Sequence, residues 1–137
     1  MDWLKLFQRF LPDFIKGAGV TLELTVVGLV IGFVLGLVLA LARAYGPKWL
    51  KALAIGYIEI FRGTPLLVQL FLIYYGLPSV GITLSQTISA YLALGLNSAA
   101  YQAEYFRGSI QAIGSSQMTA GRAIGLSRWK TDRKSVV

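Results

Sequence analysis

The sequence predicts an all-α, polytopic membrane protein. Three observations predict it. Hydrophobic residues make up 55% of the 137-residue chain and charged residues only 14%. Leu24 to Ala42 is a run of 19 residues without a charge, and Gly63 to Ala103 is a run of 41. At ~1.5 Å per helical residue the first run spans about 28 Å, enough for one crossing of a bilayer core. The second is long enough for two crossings with a turn between them. A soluble domain of this length has no use for such runs, because its helices need a polar face.

Met1 to Gly19 is amphipathic: Trp3, Leu4, Phe7, Phe10, Leu11 and Phe14 recur at helical spacing with Lys5, Gln8 and Arg9 between them. This reads as a short interfacial helix, residues 1–19, that Pro12 breaks or re-aims. A cleaved signal peptide is the rival reading, since Ala40-Leu41-Ala42 resembles a cleavage site. Its apolar run and leader are both too long for that class.

The first span is Val20 to Ala42. Gly28, Gly32 and Gly36 repeat every four residues, and Ala40 and Ala44 continue the series. Residues four apart share a helix face, so the repeat forms a smooth ridge for close approach of another helix. Helix packing is the plain reading; a lining for a substrate path is the sharper one.

Arg43 to Lys51 is a short basic turn with Tyr45 and Trp49 suited to an interface. The second span is Ile55 to Tyr75. Near its start lies Glu59-Ile60-Phe61-Arg62-Gly63-Thr64-Pro65, the densest polar cluster of the apolar part. Glu59 and Arg62 are spaced to pair on one face. Pro65 cannot supply a helix-interior hydrogen bond, so the helix kinks or restarts near Gly63. Either Glu59 and Arg62 snorkel at the interface, or the kink lets the helix move in a transport cycle.

Gly76 to Gly81 is an uncharged turn, and Leu84 to Tyr105 is the third span. Asn97 and Gln102 lie inside it. Polar groups at such depth bond between helices or face a solute path. Glu104 and Arg107 close the span at the interface. Gln117 to Trp129 then reads as a short cytoplasmic helix, a glycine turn and a basic flank, a handle for a partner protein.

The cations are placed unevenly. Arg43, Lys48 and Lys51 follow the first span, and Arg107, Arg122, Arg128 and Lys130 follow the third, with no acid until Asp132. The positive-inside rule puts both segments in the cytoplasm and the N-terminus outside. The net charge of +7 is therefore read against membrane topology, and no nucleic-acid partner is expected.

The chain has no cysteine and no histidine, which removes disulfides, thiol chemistry and the usual neutral-pH proton shuttle. No nucleophile array, metal-spaced cluster or phosphate-cradling loop is present. Gly28-Leu29-Val30-Ile31-Gly32 lacks the Lys-Ser/Thr of a phosphate loop. The chain is thus expected to be neither an enzyme nor a holder of a cofactor or metal.

Three segments carry a resemblance: Tyr57 to Leu70, Ala99 to Ile113, and Gln117 to Trp129. Together they resemble the permease subunit of ATP-binding-cassette importers for polar amino acids, the histidine/glutamine/arginine type. The likeness runs over about residues 15 to 131. The family's Glu-Ala-Ala falls on Thr119-Ala120-Gly121 and its following glycine on Gly125, with Leu126 next; this chain departs at two of the three. The resemblance implies a type I importer permease fold with about five spans, three of them here, and a cytoplasmic coupling helix. It implies residues 20–131 as a partial permease domain and 132–137 as a truncated or non-native tail. It implies a cytoplasmic ATP-binding subunit that carries the ATP chemistry, an external solute-binding protein, and a second permease copy or paralogue, all in the plasma or inner membrane among its lipids. Thr119, Ala120, Gly121, Gly125 and Leu126 would contact the ATPase. The competing reading is a small membrane scaffold or regulatory subunit that moves no solute.

Overall fold

The computed structural model describes residues 3–112 and Ala123. Four helices carry the described fold: α1 (Trp3–Tyr45), α2 (Lys48–Gly63), α3 (Leu66–Phe71) and α4 (Gln86–Ala112). No strand occurs among the described residues.

Helix α1 runs unbroken through Pro12. The expected break between an interfacial helix and the first span is absent. A proline removes the hydrogen bond to the carbonyl four residues back and its ring crowds that carbonyl, yet the helix continues on both sides of Pro12. Pro12 and its neighbours are exposed, so no packed element stands there to turn the chain aside. Residues Phe7–Tyr45 of this helix are long and apolar enough to cross a membrane.

Among the described residues of α1, the buried ones are Gly28, Gly32, Gly36 and Ala40, one every four residues. The glycine ridge is therefore the packing face, although Ala44 at its end is exposed. Opposite it stand Leu94, Ser98 and Gln102 of α4, at a constant offset of 66 residues, so α1 and α4 run parallel. Small residues of α4 complete the seam: Ala99 and Ala103, both almost wholly buried, lie against Gly36. Ile31 reaches back over Gly95, and Phe33 meets the edge of Phe106 with ring centroids 5.3 Å apart.

Large apolar side chains point the other way. Val26, Val30, Val34 and Val38 are each more than half exposed. In water this would be an inside-out helix. In lipid it is the expected arrangement, because close backbone packing rather than apolar burial joins the helices.

The second span is not one straight helix. Helix α2 ends at Gly63, Pro65 stands at the start of α3, and the arm from Leu66 to Val80 turns by 104° from α2. Pro65 forces Thr64 into an extended conformation (φ −114°, ψ 139°), which stops α2 there. The α3 arm continues through a wide turn, Leu72–Gly76, and a tight one, Leu77–Val80. It ends at Gly81, whose φ of +86° suits a residue without Cβ. The expected uncharged turn lies here. Together α2 and this arm form a second candidate crossing by length and composition. Helix α4 begins at Gln86 and runs past the expected end at Tyr105 to Ala112.

Candidate functional site: a broken helix beside a charged cleft

The break between α2 and α3 is held by side chains. A helix end frees its last carbonyls, and in an apolar setting each must find a donor. Thr64 Oγ1 donates to the Ile60 carbonyl at 2.8 Å. Gln69 Nε2 lies 2.8 Å from the Phe61 carbonyl, 3.0 Å from the Thr64 carbonyl and 2.8 Å from Thr64 Oγ1. Asn97 Nδ2, from α4, donates to Gln69 Oε1 at 3.2 Å and reaches the Phe61 carbonyl at 3.4 Å. Gln69 is 6% exposed.

Beside the break lies a cleft of about 470 Å³, lined by Arg43, Glu59, Arg62, Gly63, Tyr101 and Glu104. It joins the end of α1, the end of α2 and the middle of α4. Arg43 pairs with Glu104 across α1 and α4. Arg107 binds the other oxygen of Glu104 at 2.7 Å and also donates to Gln111. One carboxylate thus ties two guanidiniums, and the end of α1 is fastened to the last turns of α4. At the other end of the seam, Tyr91 OH donates to Glu23.

Of the sequence-predicted residues, Glu59, Arg62 and Gly63 line the cleft, and Thr64 and Pro65 form the break. Glu59 and Arg62 do not pair with one another. The Arg62 guanidinium lies over the Tyr101 ring instead, 5.4 Å from its centroid. A cation over a ring face keeps its in-plane donors available, so the contact competes well with an exposed ion pair. Asn97 joins the break. Gln102 packs against the glycine ridge, where Nε2 bonds Ser98 Oγ at 2.9 Å and lies 3.4 Å from the Leu29 carbonyl. Both amides are engaged between helices. Thr119, Ala120, Gly121, Gly125 and Leu126 lie outside the described residues.

Sequence reading missed two participants. Gln69 is a lone amide in an apolar run, four residues after Pro65, and that spacing was its only signal. The Arg43–Glu104 pair joins residues 61 apart, which no local pattern reveals.

The profile of the binding-protein-dependent transport system inner membrane components matches residues 28–137. The glutamine transport system permease protein GlnP of Escherichia coli K12 is 38% identical over 134 residues, covering 96% of this chain and 61% of that protein. The probable amino-acid ABC transporter permease protein YckA of Bacillus subtilis 168 is 41% identical over 129 residues, covering 94% and 57%. The arginine ABC transporter permease protein ArtM of Haemophilus influenzae is 40% identical over 135 residues, covering 92% and 60%. A crystal structure of an amino acid ABC transporter with histidines superposes with a TM-score of 0.90 at 40% identity, covering 98% of this chain and 62% of that one. The chain therefore spans about three-fifths of the length of these relatives. With most of its residues under one profile and this identity along nearly all of it, the chain belongs to the family of binding-protein-dependent transport system inner membrane components.

Proposed function

We propose that this chain is the membrane-spanning permease subunit of an ATP-driven importer of polar amino acids. It forms part of the translocation path and couples to a cytoplasmic ATP-binding subunit through residues 107–129. ATP hydrolysis belongs to that partner. A solute-binding protein delivers the amino acid from outside, and a second permease copy or paralogue completes the path. The observation that carries the reading is the 40% identity and 0.90 TM-score to an amino acid ABC transporter along almost the whole chain.

Topology follows the same reading, with three crossings in this chain. The parallel course of α1 and α4 supports it, because parallel neighbours need one return crossing between them. The bent α2–α3 arm supplies that return. The Arg43–Glu104 pair supports this topology too, because Arg43 and Arg107, the first cations of the two basic segments, share the Glu104 carboxylate at one end of the seam. That end is cytoplasmic, and the N-terminus is outside. A cysteine at Ser79 should therefore react with an impermeant thiol reagent from outside, and one at Ser116 only from inside. The chain has no cysteine of its own to confuse the result. Labelling in the opposite order would sink this topology.

The functional test is ATP-dependent uptake of a labelled polar amino acid into vesicles holding the full-length protein, its ATPase and its binding protein. Gly125→Val and Ala120→Trp should insert normally yet lose uptake and stimulated ATP hydrolysis. Gly125 stands where a helix-ending glycine is expected, and a side chain there costs roughly 1 kcal/mol. Ala120 is small enough for a partner's groove. Wild-type uptake by both variants would remove 117–129 as the coupling element. Absence of uptake by the wild-type assembly would favour the scaffold reading.

A further inference from the structure

We infer that Gln69 sets the bend between α2 and α3, with Asn97 orienting it from α4. The break leaves carbonyls of the α2 end without helical partners, and Gln69 is the one side chain of the α3 arm that returns to them. Its amide nitrogen has two N–H groups and faces three acceptors: the Phe61 carbonyl, the Thr64 carbonyl and Thr64 Oγ1. Two of the three are satisfied at any moment. The acceptors belong to the α2 end and the amide to α3, so Gln69 spans the break like a clasp. Straightening the arm would pull Gln69 away from Phe61 and leave that carbonyl to Asn97 alone, at a longer 3.4 Å.

Asn97 fixes which way the Gln69 amide points. Its Nδ2 donates to Gln69 Oε1, so a flipped Gln69 would place its NH₂ against that donor and its oxygen against two carbonyls. The orientation is thus held by chemistry at both ends. Asn97 also anchors the clasp to α4, the helix that carries Tyr101 and Glu104 of the charged cleft. Holding the bend therefore also positions Arg62 and Gly63 against those residues. Gln69 is a positioning residue: it shapes the cleft without lining it. The inference concerns geometry and holds whatever solute the chain serves.

Paired spin labels test it directly, since the chain has no native cysteine. Leu53→Cys and Val80→Cys place labels on exposed positions of α2 and of the far end of the α3 arm. Val30→Cys and Tyr105→Cys, also exposed, form a second pair across α1 and α4. With the protein in lipid nanodiscs, Gln69→Leu should roughly double the width of the 53–80 distance distribution and shift it longer. The 30–105 distribution should keep its wild-type width, because the glycine seam does not use Gln69. Asn97→Ala should give a smaller broadening at 53–80 alone. A folded Gln69→Leu protein with the wild-type 53–80 distribution overturns the inference. Should Gln69→Leu fail to fold, Asn97→Ala decides: broadening at 53–80 supports the clasp, and a wild-type distribution there overturns it. Equal broadening of both pairs would show a general loosening of the fold and also overturns it.

Discussion

Gly32→Leu should remove most of the folded protein. A Cβ at Gly32 would lie 2.6 Å from Ser98 Cβ and 2.7 Å from Gln102 Nε2, and the rest of a leucine would follow it into α4. Real Cβ contacts do not come that close, so α1 and α4 must separate. Separation strips the neighbouring close contacts at Gly28 and Gly36, where a Cβ would already meet α4 at 3.1 Å and 2.9 Å. It also draws Gln102 Nε2 away from the Leu29 carbonyl, 3.4 Å off on α1. Overpacking in a tight interior costs about 1–3 kcal/mol. With the lost seam contacts added, about 3 kcal/mol or more is expected, over a hundredfold in the folded population.

A graded series separates this clash from helix propensity. Gly19→Ala meets nothing within 4 Å and should be neutral or slightly stabilising. Gly28→Ala meets Leu94 Cβ at 3.1 Å, which a shift of a few tenths of an ångström relieves, so its effect should stay within about 1 kcal/mol. Thermal midpoints in detergent and the monodisperse fraction on size exclusion read all three. A Gly32→Leu protein as stable as wild type would show that the ridge faces lipid rather than α4.

The ridge was legible because its period matches the helix: four-residue spacing of glycine marks a face without knowledge of the partner. The break at Thr64-Pro65 was legible for a similar local reason, as proline restricts the residue before it and lacks an N–H. The 104° bend was not. Its size depends on Gln69 and Asn97, which lie 28 residues apart and meet only in the fold.

Local rules also misled. Pro12 carries the same chemistry as Pro65, yet α1 runs straight through it. The difference is context. Pro65 follows Gly63-Thr64 and has an arm that packs elsewhere, whereas Pro12 sits in an exposed stretch with nothing to pull the chain aside. Glu59 and Arg62 have ideal spacing for a pair, but Tyr101 of α4 draws Arg62 away. Helical spacing permits a contact; the neighbouring helix decides whether it forms.

Glu104→Leu should be the most damaging change at the charged cleft. Glu104 is 18% exposed and gives one oxygen to Arg43 and the other to Arg107. Leucine leaves two guanidiniums partly desolvated, at 23% and 29% exposure, without their counter-charge. Removing one partner of a fully buried pair costs about 3–5 kcal/mol, because the remaining charge has lost its compensation. Water reaches this site in part, so about 2 kcal/mol is expected. The loss should fall on the end of α1, which Arg43 alone ties to the last turns of α4 by an ion pair among the described residues. Arg107 keeps Gln111 and is less exposed to the change. Replacing both members of the cross-helix pair, Arg43→Met with Glu104→Leu, should regain at least half of the stability, since an apolar pair of similar volume needs no compensation. A double-mutant cycle on thermal midpoints in nanodiscs measures the coupling directly. Additive effects of Arg43→Met and Glu104→Leu would mean the pair contributes nothing across the helices. A positive coupling would identify Glu104 as the clamp that makes α1 and α4 move as one body beside the bend.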